Sequence, residues 1–132
     1  MRNSIAVLGA VLLSGVVAAA GLQGSEWKPV ALGDMLLTGD TQAFIQFRSK
    51  GRLLGSGGCN RLMAEYSVSG RHIFIGPVAG TRMYCGEEQM GVEANLISAL
   101  EQARTFERDR TRLVLFDGSG TPILELRQTD WD

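Results

Sequence analysis

Apolar and polar positions change their period along this chain, and each change marks an element. Ile5 to Val17 form an almost uninterrupted apolar run behind Arg2, and Ala18, Ala19 and Ala20 follow it. A basic start, a short apolar run and small residues at its end are the three parts of a cleavable export leader, so cleavage is expected after Ala20. The run sits at the short limit for spanning about 30 Å of hydrocarbon and no basic flank follows, which argues against a retained membrane anchor. No cysteine precedes Cys59, so the leader offers no thiol for lipid attachment and the exported chain is expected without a transmembrane segment.

Beyond the leader the period falls to two. Trp27 to about Leu32 reads as a short strand, followed by a polar turn from Asp34 to Asp40 that also holds Met35 and Leu36. Between Gln42 and Arg48, the apolar Ala43, Ile45 and Phe47 alternate with Gln46 and Arg48, as in a half-buried strand, with Phe44 breaking the polar side. Ser49-Lys50-Gly51-Arg52 then reads as a hairpin turn into Leu53-Leu54-Gly55. A second hairpin runs from Tyr66 to Ile75, turning at Ser69-Gly70-Arg71, with Tyr66, Val68, Ile73 and Ile75 apolar and Pro77 ending the strand. Between Glu87 and Ala103 the spacing becomes helical, with Met90, Ala94, Ile97 and Leu100 as the apolar stripe and Leu96 alongside. Glu87 and Glu88 stand where the helix dipole favours negative charge. Two more strands, Leu113 to Phe116 and Ile123 to Leu126, flank the turn-rich Asp117-Gly118-Ser119-Gly120. Strands around one helix make an α+β chain.

A length of 132 residues leaves room for one core, so a single domain is expected over residues 21–132. Seventeen glycines against three prolines suit hairpins better than a helical bundle. The formal net charge is −1 with 13 basic and 14 acidic residues, and loss of Arg2 with the leader makes it more negative. That balance speaks against nucleic acid as a partner.

Candidate chemistry is sparse. Cys59 and Cys85 are the only cysteines, and export would carry them into an oxidising compartment where a pair usually becomes a disulfide. Two buried thiols, or a redox or metal site, remain open beside that reading. The metal option has no Cys-x-x-Cys spacing and only His72 as a third ligand. His72 lies beside the turn Gly70-Arg71 and reads as a solvated strand start. Leu54-Gly55-Ser56-Gly57-Gly58 lacks the first glycine of a G-x-S-x-G elbow, and no phosphate-binding glycine loop is present. An enzyme is not expected, nor a cofactor or bound metal.

Three segments carry a resemblance: Gly57-Gly58-Cys59-Asn60-Arg61, then Thr81-Arg82-Met83-Tyr84-Cys85, then Glu93 with Leu96-Ile97 and Ala99-Leu100. In this order they resemble the G-C-N, T-x-M-x-C and helix signatures of the META/HslJ family, and Trp27 and Leu113-x-Leu115 fit the same pattern. On that resemblance the family positions are Gly58, Cys59, Asn60, Thr81, Met83, Cys85 and Glu93, while Tyr84 stands where a small residue is usual. The resemblance implies a β-rich, partly open antiparallel barrel with one packed α-helix, a link to bacterial heat-shock or envelope-stress proteins, and no enzyme activity.

The function expected from all this is a non-catalytic module, periplasmic or secreted and monomeric, that supports stress tolerance through an unidentified envelope protein or lipid. Arg104, Arg108, Arg110 and Arg112 form the densest basic cluster, a docking patch unless Glu107 and Asp109 make it an ordinary solvated hairpin. The alternative is a carrier of a small apolar ligand or lipid in a half-barrel groove lined by Phe44, Phe74, Met83 and Leu96.

Overall fold

Alternation of buried and exposed side chains survives into the folded chain and decides which way each strand faces. The computed structural model describes residues 21–39 and 41–129; the leader and its cleavage after Ala20 lie outside these. The strands are β1 (Glu26–Leu32), β2 (Met35–Leu36), β3 (Phe44–Arg48), β4 (Arg52–Ser56), β5 (Arg61–Ser69), β6 (His72–Ile75), β7 (Ala79–Gly80), β8 (Thr105–Asp109), β9 (Arg112–Phe116) and β10 (Pro122–Gln128). The helix α1 covers Glu87–Gln102. Ile45 and Phe47 of β3 point inward, as do Ile73 and Ile75 of β6 and Leu113 and Leu115 of β9, all at most 2% exposed.

The barrel is closed, not partly open. Its eight strands follow the order β10-β9-β8-β6-β5-β4-β3-β1, and β1 pairs back onto β10. That last pairing runs from Trp27 opposite Gln128 to Leu32 opposite Leu124, with an irregularity between Pro29 and Ala31. Closure gives both terminal strands of the ring a hydrogen-bonded neighbour, where an open barrel would leave two exposed edges. Nothing local in the sequence announces it, because the two strands are separated by nearly the whole chain.

Three short strands were not legible. β2 lies within the expected polar turn, β7 pairs with Leu62 and Met63 after Pro77, and β8 carries one buried residue, Phe106, among charged ones. β5 also begins at Arg61, well before Tyr66. At the β3–β4 turn, Lys50 takes a left-handed φ of 62° within a short 3-10 turn, Ser49–Gly51. Tyr66 braces this turn by donating its hydroxyl to the Arg48 carbonyl at 2.8 Å, its ring edge-on to Phe47.

The helix has the expected bounds but shows a different face. Glu93, Leu96, Ala99 and Leu100 are its buried residues, whereas Ala94 is exposed and Met90 and Ile97 only half-buried. The stripe expected at Met90, Ala94, Ile97 and Leu100 is therefore rotated around the axis. The reason is a carboxylate: Glu93 occupies an inward position because it has a buried partner there, described below. α1 touches β1, β6 and β10, strands from different sides of the ring, and its Leu96 and Leu100 join the interior cluster. It thus covers one mouth of the barrel, and each of these leucines contributes about 2 kcal/mol by burial. Leu22, 1% exposed, belongs to the same cluster, while Gln23 bridges Phe47 next to it. Trp27 is fully buried, and its indole N–H has no acceptor among the described residues.

Candidate functional site

The three signature segments converge at the mouth covered by α1. After β4 the chain turns sharply through 57–60: Gly57 donates to the Asn60 carbonyl at 3.0 Å, and Gly58 donates to the Ser56 hydroxyl at 3.0 Å. Ser56 therefore serves the turn. Gly57 is required by space, since a β-carbon there would lie 2.3 Å from Cγ of Glu93. Gly58 is required by conformation, with φ at 103°.

Asn60, 2% exposed, is the hub. Its backbone N–H donates to Glu93 Oε1 at 2.8 Å, and its side-chain amide donates to Glu93 Oε2 at 2.7 Å and to the Met83 carbonyl at 3.1 Å. Its Oδ1 accepts from the Thr81 hydroxyl at 2.8 Å and from the Met83 N–H at 2.7 Å. Both donors and both acceptor sites of the amide are engaged. Glu93, 5% exposed, accepts through both carboxylate oxygens, which is how a charged residue can sit on the inner face of a helix. Thr81 closes the circuit by accepting from the Arg61 N–H at 3.1 Å.

Cys59 and Cys85 are joined by a disulfide, with Cα atoms 5.9 Å apart. The bridge and the Asn60 amide hold residues 81–86 from both ends, and this strap leads directly into α1. Its tip is nonetheless on the surface, with Met83 54% and Tyr84 73% exposed. Cys85 and Gly86 of the strap, with Leu37, Thr38 and Thr41, border a depression of about 500 Å³ that is also lined by Gly57, Glu87, Glu88 and Val92.

All seven family positions thus meet in one place: Gly58, Cys59, Asn60, Thr81, Met83, Cys85 and Glu93. The other expected groupings do not form. Phe44, Phe74, Met83 and Leu96 line no common groove, because Leu96 is 1% exposed in the core while Phe74 is 54% exposed on the barrel's outer side. His72 is exposed, and the two sulfurs, being bonded to each other, carry no thiol. The arginine cluster is divided among separate neighbours. Arg104 donates to the Glu101 and Ala103 carbonyls and lies over Phe74. Arg108 donates to the Arg110 carbonyl and Gln128 and lies over Trp27. Arg110 sits in the β8–β9 turn with φ at 59°, and Arg112 pairs with Glu125 at 2.8 Å. Glu107 and Asp109 share the adjoining depression with Arg108 and Arg112, so the charge there is mixed.

The Asn60–Glu93 pair is what sequence reasoning missed. Its signal was a glutamate at the right spacing from Leu96 and Leu100 to share their face, which demands a buried partner.

Among solved structures, the chain is similar to an NMR structure of a protein from Burkholderia xenovorans, at 20% identity over 87% of this chain and 88% of that one, with a TM-score of 0.69. A second NMR structure matches at 24% identity over 83% and 92%, with a TM-score of 0.66. A crystal structure of a DUF4847 family protein from Bacteroides vulgatus matches at 14% identity over 86% and 98%, with a TM-score of 0.65. These likenesses show the fold. No curated protein matches significantly. The META domain profile matches residues 20–130, and the chain belongs to the META domain family.

Proposed function

We propose that this META domain is a non-catalytic envelope module, exported to the periplasm or beyond, that supports tolerance of stresses such as heat or antibiotics by contacting another envelope component. The observation that supports this reading is the saturation of the signature residues by one another. Asn60, Thr81, Glu93 and the two cysteines direct their polar atoms and sulfurs to each other, so their role is to hold the strap and α1 in place. A disulfide fits an oxidising compartment. Among the described residues no helix is long and apolar enough to cross a membrane.

The test is survival of a deletion strain under heat and antibiotic challenge, with the wild-type gene restored as control. Loss of survival that the restored gene reverses is expected; unchanged survival overturns the proposal. Native mass spectrometry of the envelope-purified protein checks the rest. Its intact mass should begin at Gly21 or within a residue or two, without an acyl chain, and a stoichiometric apolar molecule bound to it would replace the contact module by a carrier.

A further inference from the structure

The outer face of β4, β5 and β7 carries a row of apolar side chains between charges of opposite sign. β5 alternates strictly here: Leu62 points into the core, while Arg61, Met63 and Glu65 point outward and are exposed. Met63 is 55% exposed and stands in the register between Leu54 of β4 and Ala79 of β7. Leu54 is half-buried and Ala79 exposed, so the three form one apolar row across the sheet.

The framing charges have no partners of their own. Arg61 and Glu65 each lie two residues from Met63, or about 7 Å along the strand. Among the described residues, neither side chain forms an ion pair or a hydrogen bond. Arg52 is opposite Glu65 in the register and Ser56 is opposite Arg61, yet Arg52 too makes no ion pair there.

A strand face that reads cation, apolar, anion is complementary to itself. A two-fold axis crossing the strands at Met63 reverses β5 on its copy. Met63 then meets Met63, and Glu65 of each copy meets Arg61 of the other. The same rotation sets Leu54 on Leu54 and Arg52 on the uncharged Ser56, so no like charges lie directly opposite. Self-complementarity of one patch is what a two-fold interface requires, and an apolar centre with a charged rim is the usual anatomy of a protein contact. A partner surface of one sign would satisfy one end of the row and oppose the other.

We infer that the protein associates with a second copy of itself through the outer face of β5, centred on Met63. This goes beyond the contact with another envelope component and does not depend on it. The outer face of a barrel is convex, so two copies touch along little more than these strands, and the association is weak. The monomer expected from the sequence then holds only in dilute solution.

Sedimentation equilibrium of the exported protein, its disulfide intact, tests this at low salt and at concentrations up to about 1 mM. Wild type should dimerise with a dissociation constant on the order of 0.1 to 1 mM, as suits a small interface, and added salt should weaken it. Glu65→Arg and Arg61→Glu should each weaken association about tenfold or more, because symmetry makes every reversal act twice. An equimolar mixture of the two variants should associate again, since one then presents only cations beside Met63 and the other only anions. Amide shifts in an NMR concentration series should fall at Leu54, Met63 and Ala79. A wild type that stays monomeric throughout, a mixture that does not associate, or an Arg61→Glu protein that dimerises like wild type overturns the inference. Shifts confined to another surface do the same. Thermal melts establish that the variants fold; should either not, Met63→Lys takes its place, and its continued association refutes the interface. Binding of phosphatidylglycerol vesicles through Met63 without self-association overturns the inference in favour of a membrane surface.

Discussion

Replacing Glu93 by glutamine preserves the shape of the side chain and changes only what it offers to Asn60. In the native protein, Oε1 accepts the Asn60 backbone N–H at 2.8 Å and Oε2 accepts its amide at 2.7 Å. Glutamine supplies one oxygen and one NH₂, so one donor of Asn60 must face another donor. Asn60 cannot turn its amide over in response, because Oδ1 already accepts from Met83 and Thr81. One charge-assisted bond is lost, the other is weakened, and a buried donor is left unpaired, together about 3 kcal/mol. For a domain of this size that corresponds to a fall in melting temperature of roughly 10 to 15 °C. Thermal and urea unfolding measure it, with exposed Glu88→Gln as a control that should remain within about 0.5 kcal/mol of wild type. Hydrogen exchange at Met83 should accelerate in Glu93→Gln, since the strap hangs from the same amide. A loss below about 1 kcal/mol, with Met83 as protected as before, would refute the account of Asn60 and Glu93 as the structural hub.

Other substitutions probe the neighbouring contacts. Cys59→Ser with Cys85→Ser opens a loop with a sequence separation of 26, and loop entropy puts the loss at about 3.5 kcal/mol; a folded double mutant that loses all stress protection well below its melting point would mean that the sulfurs act chemically. Gly57→Ala places a β-carbon 2.6 Å from Glu93 Oε1 and should destabilise by about 2 kcal/mol in urea unfolding, whereas Gly91→Ala, with open space around it, should stabilise by up to about 1 kcal/mol. Acid should weaken the fold through two carboxylates held below their usual range, Asp117 by hydrogen bonds from the Ser119 hydroxyl and the Thr121 backbone, and Glu125 by its hydrogen bond from Arg112. Because both folded values are depressed, their stabilisation is complete above the ordinary carboxylate range and disappears as pH falls through the lower folded values. Asp117→Asn should therefore flatten the fall in melting temperature on the acid side, and an unchanged acid limb would contradict the assignment.

Much of the fold could be read from local pattern, because local pattern reports directly on faces and turns. The alternation of Ala43, Ile45 and Phe47, the Gly70 turn and the bounds of α1 all depend on near neighbours in the chain. The signature residues also identified the family, and the single cysteine pair pointed to a bridge once export was considered. Closure of the barrel could not be read in this way, since it pairs Trp27 with Gln128 and no periodicity reaches across that separation. β8 was hidden for a related reason: it is held between β6 and β9 by backbone hydrogen bonds, which its charged side chains do not advertise. The face of α1 was decided by Asn60, a residue 33 positions before Glu93, which makes an inward glutamate more favourable than an inward Ala94. Period and composition specify which residues can be buried, whereas the pairing of a donor with an acceptor far along the chain specifies which of them are, and only the assembled barrel brings those groups within reach of one another.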